Sequence, residues 1–284
     1  MRTSFLPVGF TIAAVIFLGF EQQKGFTESH SEAGNESAAQ GSGPLMRPCV
    51  APTEGTKAWG NSKSFWLKKH DFTVKFLDGD APAQEKVKKA VKAWEDAANI
   101  HWHWVDSGNA DIRISFSHTE GHWSKVGTSA LNVPQARKTM NLALAGSDSQ
   151  SEFNRVARHE FGHALGLQHE HQHPAFKIDW NKERVYAWYA KDPNDWDKRT
   201  VDEQVFALYT GKYIGTAPDK DSIMMYPILP GWAKNIAVGW NRDLSAADKQ
   251  FIAERYGPPQ HTTDLERPTP GSENRFADFR FDPP

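Results

Sequence analysis

Apolar and polar residues follow regular patterns from about residue 72 onwards. Strict alternation of the two predicts a strand, and apolar residues three to four apart predict an amphipathic helix. Alternating or short apolar runs predict four strands, at residues 72–76, 101–105, 111–116 and 139–144. Helical spacing predicts one helix that opens near Pro82, a residue suited to a first turn, and a second helix that starts near Ser151.

Periodic segments are sparser in the second half of the chain. Helical spacing is visible at 182–189 and again around 201–209, with polar loops between and after them. Ser245 and Asp248 have capping-box spacing and open a last helix that runs through Tyr256. A glycine and two prolines then follow, and such residues end helices. We therefore expect strands and helices first and a less regular region afterwards.

The beginning of the chain is typical of targeting and linker sequence. Residues 1–20 combine Arg2 with an apolar run of sixteen residues and predict a secretory signal peptide, with an uncleaved membrane anchor as the alternative. Residues 21–55 are rich in Ser, Gly, Glu and Gln and predict a disordered linker or pro-segment. The glycosylation acceptor at Asn35 agrees with secretion. We expect the folded domain at 56–257 and a disordered tail at 258–284.

Composition and charge exclude several classes of partner. The 284 residues are 39% hydrophobic and 24% charged, as in a soluble protein. A net charge of -2 and a pI near 6.6 give no electrostatic reason for binding nucleic acid or an anionic membrane. We expect no membrane association once the signal is cleaved. Cys49 is the only cysteine in the sequence, so an intramolecular disulfide cannot form.

The candidate chemistry lies in HEFGHALGLQHE, which starts at His159 and matches the zinc-binding pattern H-E-x-x-H-x-x-G-x-x-H. On a helix, His159 and His163 leave the same face one turn apart, so both can hold one zinc ion. Gly166 can adopt a positive φ and end the helix, which brings His169 back to the metal. Three imidazoles leave tetrahedral zinc one open position for water, as in catalytic sites. Glu160 is then the candidate general base.

Alternatives exist for each histidine of this run. A pair of histidines four residues apart can be an ordinary solvated helix face, although Gly166 and the third histidine argue against that here. His171 and His173 continue the run and can compete as the third ligand. The register from Gly166 favours His169, so we interpret the other two as loop histidines.

The motif resembles that of the metzincin clan of zinc metalloendopeptidases, and SIMMY at 222–226 supports the resemblance. Metzincins place a Met-turn beneath the zinc about fifty residues after the helix. In the astacin family the turn reads S-x-M-x-Y, which maps onto Met224 and onto Tyr226 as an extra zinc ligand or oxyanion donor. The tyrosine and proline after Met225 also fit the matrixin pattern. Glu170, directly after the third histidine, is typical of astacins, so we assign the Met-turn to Met224.

A third segment, GHWSKVGTSAL at 121–131, resembles the W-S-x-V-G sequence that astacins carry at the strand bordering the cleft. Trp123, Val126 and Gly127 match it and are candidate residues of a substrate-binding edge strand. An extended peptide would pair with that edge through main-chain hydrogen bonds. An ordinary edge strand anchored by Trp123 is the alternative interpretation.

Cys49 marks a departure from astacins, whose catalytic domains usually carry disulfides, and indicates a divergent branch. Its surroundings, RPCV, are similar to the cysteine switch of matrixin pro-segments, in which a thiolate occupies the open zinc position. We hypothesise that Cys49 is such a latency ligand. A free or buried structural thiol is the alternative.

The resemblance implies an α+β, zincin-like fold with a mixed upper sheet, an active-site helix and a smaller, irregular lower subdomain. It also implies a secreted, extracellular, monomeric endopeptidase with one Zn²⁺ per chain that hydrolyses peptide bonds of protein or peptide substrates. Glu160 would act as general base on a zinc-activated water, and Tyr226 would donate to the oxyanion. A non-catalytic zinc-holding binding protein and a zinc amidase acting on small molecules remain as alternatives.

Overall fold

The computed structural model describes residues 63–191, 194–210, 213–215 and 217–260. The predicted signal peptide, the predicted linker with Cys49, and the tail from residue 261 lie outside the described residues. None of the helices in the described part combines the length and the apolar character that crossing a membrane requires.

Five strands form one mixed sheet. They are β1 (Asp71–Phe76), β2 (His101–Trp104), β3 (Ile112–Ser115), β4 (Trp123–Ser124) and β5 (Met140–Asn141). Their order is β2-β1-β3-β5-β4, and every neighbouring pair is parallel except β4 with β5. Phe72 and Val74 are fully buried on one face of β1, as the alternation predicts. β4 is consequently an antiparallel edge strand.

Two long helices share a core with this sheet. They are α1 (Ala81–Glu95) and α2 (Gln150–Leu165). Asp80 caps α1 by accepting the Ala83 N–H at 2.7 Å, and Ser149 caps α2 in the same way. The Trp94 indole N–H of α1 donates to the Arg158 carbonyl of α2 at 3.0 Å, which joins the two helices. The helix that carries the zinc-binding motif is therefore held from two sides.

The remaining helices are shorter. They are the 3₁₀ helices Gly127–Asn132 and Glu170–Gln172, α3 (Lys182–Tyr189), α4 (Lys198–Val201), the π-helix Asp202–Phe206 and α5 (Ala246–Tyr256). α5 opens with the predicted capping box, in which Ser245 and Asp248 each bind the other's backbone N–H.

Buried apolar side chains form two clusters. The upper core joins the sheet, α1, α2 and α5 and includes Phe161 and Met224. The lower core joins α3 to the chain after residue 224 and includes Met225 and Trp232. Met224 is buried in the upper core, and the next residue, Met225, is buried in the lower core. The two cores divide the described domain into a larger upper half, built from the sheet and the long helices, and a smaller lower half with more loops.

The strand predicted at 139–144 is too long. Only Met140–Asn141 pairs as β5, because the Ala143 N–H donates to the His122 ring at 3.0 Å and so leaves the ladder. The prediction failed because the competing acceptor lies about twenty residues away in sequence.

The helix predicted at 201–209 is instead a π-helix at Asp202–Phe206. The Gln204 carbonyl accepts hydrogen bonds from the Gln172 amide at 3.2 Å and from the His171 ring at 3.1 Å. These tertiary hydrogen bonds compete with the backbone hydrogen bonds within the helix. π-Helical turns are rare, and those that occur are frequently found at functional sites.

Candidate active site

α2 and the turn after it arrange the residues of the zinc-binding motif. The buried face of α2 carries His159, Glu160 and His163, which are 9%, 1% and 1% exposed. Gly166 follows the helix at φ +111°, in the left-handed region that favours glycine. This reversal returns the buried His169 to the two helical histidines, as the sequence predicts.

Backbone carbonyls fix the orientation of two of the rings. The Nδ1–H of His159 donates to the Ile223 carbonyl and that of His163 to the Leu167 carbonyl, each at 2.8 Å. Both rings therefore keep a bare Nε2. His163 Nε2 lies 3.0 Å from His169 Nε2, and one ligand nitrogen from each of the three rings lies within 4.8 Å of the others.

Burial keeps these imidazoles neutral. Loss of hydration is the largest cause in each, and it lowers the pKa of His163 to about 4. The pKa values of His159 and His169 also fall well below their usual range, with the neighbouring histidines adding a smaller repulsive contribution. Neutral imidazole is the form that binds a metal.

The donor set fits one zinc ion. His159 Nε2 is buried and has no hydrogen-bond partner among the described protein groups, as expected of a nitrogen reserved for a metal. Two nitrogen ligands of a tetrahedral zinc lie about 3.3 Å apart, close to the His163 to His169 separation. Three neutral nitrogens without a carboxylate suit zinc better than magnesium or calcium.

His171 and His173 are not part of this cluster of ligand nitrogens. The Nε2–H of His171 donates to the Gln204 carbonyl, and its ring stacks on Tyr226 with centroids 4.3 Å apart and an interplanar angle of 25°. His173 Nδ1 accepts the N–H of Ala175 at 3.0 Å. His171 thus packs against the wall of the site and supports Tyr226.

Tyr226 and Glu160 line the same cavity as His159. The Tyr226 ring centroid is 4.3 Å from that of His169 and 6.1 Å from that of His159. The cavity is bordered as well by Trp232 and Trp240. A carboxylate, a phenol hydroxyl and one imidazole of the motif thus meet at one cavity.

Met224 packs directly beneath the ligand helix. A side chain at Gly162, between the two helical histidines, would overlap the Met224 sulfur. Met224 is 1% exposed and belongs to the upper core, whereas Met225 belongs to the lower core and lines the cavity. Met224 therefore packs against α2 at Gly162.

Two buried carboxyl groups hold the segment around Met224. Asp248 accepts hydrogen bonds from the Ser222 hydroxyl and from the Ile223 N–H, both at 2.7 Å. Glu170 accepts the Asp219 N–H at 2.8 Å, and burial raises the pKa of its carboxyl to about 9. Asp248 of α5 therefore holds the Ile223 backbone, whose carbonyl orients His159.

The predicted edge strand is shorter than expected. β4 covers Trp123–Ser124, so Val126 and Gly127 lie beyond it, at the start of a 3₁₀ helix. Gly127 has φ +49°, and a side chain there would collide with the Ser64 backbone. The chain turns away from the sheet at this point because the Thr128 N–H donates to the Ser64 carbonyl at 3.0 Å.

Several residues of the site went unrecognised in the sequence. His122 and Arg155 line the cavity, His171 stacks on Tyr226, and Asp248 fixes Ile223. Two of them had a local signal, since His122 directly precedes the matched W-S-x-V-G segment and Asp248 closes a capping box.

A comparison with known protein families shows to which family this chain belongs. The sequence profile of the astacin peptidase family matches residues 59–257. The chain belongs to the astacin family. This result confirms the predicted resemblance, and the mixed sheet with its helices confirms the predicted α+β metzincin fold class.

Two solved structures of myroilysin are similar to this astacin-family chain. The first has 42% sequence identity and a TM-score of 0.65, and the match covers 70% of this chain and 97% of that one. The second has 40% identity and a TM-score of 0.56, with coverage of 74% and 90%.

Two curated proteins of Homo sapiens match more distantly. Matrix metalloproteinase-26 is 25% identical over 139 residues, which are 43% of this chain and 52% of that protein. Stromelysin-3 is 28% identical over 144 residues, which are 42% of this chain and 29% of that protein. The chain therefore spans about half or less of the curated relatives that it matches.

Proposed function

We propose that this astacin-family protein is a secreted, zinc-dependent endopeptidase that hydrolyses peptide bonds of protein substrates. The observation that carries the proposal is the convergence of three buried, neutral imidazoles beside a buried glutamate at an open cavity. His159, His163 and His169 would hold one Zn²⁺. Metal retention alone does not need a carboxylate at Glu160, so this residue favours a hydrolase over a zinc-holding binding protein.

The residues of the site have distinct roles in this proposal. When bound, zinc supplies a Lewis acid that polarises the scissile carbonyl and lowers the pKa of water towards about 7. Glu160 accepts a proton from the attacking water and passes it to the leaving amine. The Tyr226 hydroxyl donates a hydrogen bond to the developing oxyanion. Met224 acts as the Met-turn residue and supports α2 from below through its contact at Gly162.

A polypeptide substrate is favoured by the edge of the sheet. β4 is the last strand in the sheet order and runs antiparallel to β5, and within the described residues no other strand pairs with its outer edge, which could therefore accept an added strand. Trp123 would anchor that edge, and Val126 and Gly127 would shape the turn that ends it. A small amide would leave this edge unused, which argues against the amidase alternative.

Secretion, an extracellular location and a monomeric state are part of the same proposal and rest on the signal-like residues 1–20 and the neutral charge balance.

Cys49 is proposed as a latency ligand of the unprocessed chain. The Cys49→Ser substitution should then raise the activity of the unprocessed protein, because a hydroxyl is a much weaker zinc ligand than a thiolate. Peptide hydrolysis by the two unprocessed proteins measures this. Equal activities would show that the thiol has no part in latency.

Hydrolysis of an unfolded protein, compared with that of a short acyl amide, tests the proposed function. We expect the purified full chain to cleave the unfolded protein, to lose this activity on chelation and to regain it when zinc is added back. Turnover of the acyl amide alone would favour the amidase. Stoichiometric zinc without turnover of either substrate, even after proteolytic removal of the segment before Trp59, would favour the binding protein.

A further inference from the structure

The short 3₁₀ helix that follows the third ligand histidine is tied to the π-helix by two side chains. The Nε2–H of His171 donates to the Gln204 carbonyl at 3.1 Å. The Gln172 amide donates to the Gln204 and Glu203 carbonyls, both at 3.2 Å. His171, Gln172 and Gln204 are all buried, so these hydrogen bonds are shielded from water. The π-helix therefore fixes the chain directly after His169.

The π-helix can accept these hydrogen bonds because its own backbone pairing stops early. The Ala207 N–H donates to the Asp202 carbonyl at 2.8 Å, five residues back, which is the π-helical pattern. By the same spacing the Tyr209 N–H would pair with the Gln204 carbonyl, but it donates to the Gln172 carbonyl at 3.0 Å instead. A buried carbonyl needs a donor, and that of Gln204 finds it in the histidine and glutamine side chains.

The His171 ring connects the π-helix to Tyr226. It stacks on the Tyr226 ring with centroids 4.3 Å apart and an interplanar angle of 25°. The Nδ1 of His171 is buried and has no hydrogen-bond partner among the described protein groups. The Gln204 carbonyl is therefore the polar contact that sets the rotation of this ring. Because His171 is fully buried, a change in its rotation or size would move the Tyr226 ring that packs against it.

The position of the Tyr226 hydroxyl matters for catalysis in the proposed function. A hydrogen-bond donor to an oxyanion must lie about 2.7 to 3.1 Å from the oxygen that it stabilises. The hydroxyl is at the far end of the ring, so a small tilt of the ring displaces it from that range. We infer that His171 is a positioning residue, which transmits the fixed geometry of the π-helix to the Tyr226 hydroxyl. The inference rests on the proposed peptidase function and adds to it a residue outside the zinc ligands, the base and the oxyanion donor.

A double-mutant cycle on the zinc-loaded full chain tests this role. His171→Ala should lower kcat for a peptide by about tenfold with little change in KM, because the displaced hydroxyl acts on the oxyanion and not on the bound substrate. In a Tyr226→Phe background the same substitution should change kcat by less than about twofold, since no hydroxyl remains to be displaced. The matched control is His173→Ala, which removes a buried histidine of the same loop whose ring meets Tyr213. It should change kcat by the same factor in both backgrounds.

His171→Phe is the second variant, which decides the question if the alanine protein does not fold. Phenylalanine keeps a ring against Tyr226 but cannot donate to the Gln204 carbonyl, so a smaller loss of kcat should again be confined to the protein that has Tyr226. Equal losses in both backgrounds, or a wild-type kcat in folded, zinc-loaded His171→Ala, would overturn the positioning role and leave the endopeptidase proposal standing. Failure of the zinc-loaded wild type to cleave the peptide or an unfolded protein would overturn both proposals together.

Discussion

Asp248 links the last helix to the turn beneath the zinc-binding histidines. One carboxylate oxygen accepts the Ser222 hydroxyl, and the other accepts the backbone N–H groups of Ile223 and Ser245 at 2.7 and 2.9 Å. Ile223 in turn orients His159 through its carbonyl. Asp248 is 8% exposed and lies outside the motif. It thus affects the orientation of the His159 ring through Ile223.

Replacing Asp248 tests this linkage. Asp248→Ala leaves two backbone N–H groups buried without acceptors, so we expect the free energy of unfolding to fall by about 2 to 4 kcal/mol. Asp248→Asn keeps one acceptor oxygen and should cost about 1 kcal/mol. Urea unfolding of the zinc-loaded proteins measures both. Values for Asp248→Ala within about 0.5 kcal/mol of wild type would refute the linkage.

Tyr226 is the second residue on which a prediction rests. Its ring is held between those of His169 and His171, so removing the hydroxyl should leave the ring in place. Tyr226→Phe should then lower kcat by about 10²-fold with little change in KM, because the lost hydrogen bond acts on the oxyanion. Tyr186→Phe removes a hydroxyl that binds Asp202 and is the control. A kcat for Tyr226→Phe close to wild type would exclude the donor role.

At the scale of elements, the sequence predicted the features that depend on local signals and missed those that depend on contacts between residues far apart in sequence. α2 was predicted because its apolar periodicity and the terminating Gly166 are both local in sequence. The early end of β5 and the π-helix were not predicted, because the groups that decide them, His122 and Gln172, lie far away in sequence. The same reason explains the site. The three histidines and Glu160 share one motif, and Arg155 lies about one helical turn before His159 on α2, whereas Asp248 becomes a neighbour of the site only through folding.

The edge of the sheet depends on a buried cation in β3. Arg113 is 1% exposed, and its guanidinium donates to the Ala110, Val133 and Arg137 carbonyls at 2.7, 3.0 and 2.7 Å. Burial lowers the pKa of this guanidinium, with Asp111 partly compensating. Arg113 therefore holds the loop that leads into β5, the strand on which β4 depends.

Arg113→Met should destabilise the protein by more than about 2 kcal/mol, because several buried carbonyls lose their donors. Arg113→Lys retains the charge but cannot reach all three carbonyls, so it should lie between Arg113→Met and wild type. Thermal unfolding gives the order, and KM for a long peptide should rise as the edge loosens. Equal unfolding midpoints for Arg113→Met and wild type would contradict this role.

At the scale of the whole molecule, two cores meet at the zinc-binding histidines. α2 carries His159, Glu160 and His163 and packs in the upper core. Tyr226, Trp232 and Met225 line the cavity from the chain that builds the lower core. A peptide bound between the two halves would contact both.

The measurement that tests the account most directly is cleavage of an unfolded protein by wild type and by Glu160→Gln, both carrying one zinc per chain. Glutamine keeps the size of the side chain but cannot accept the proton, so we expect equal zinc content and a loss of at least about 10²-fold in cleavage rate. Glu254→Gln, on an exposed face of α5, should behave as wild type. Cleavage by Glu160→Gln at the wild-type rate, or wild-type cleavage that survives removal of zinc, would contradict the account.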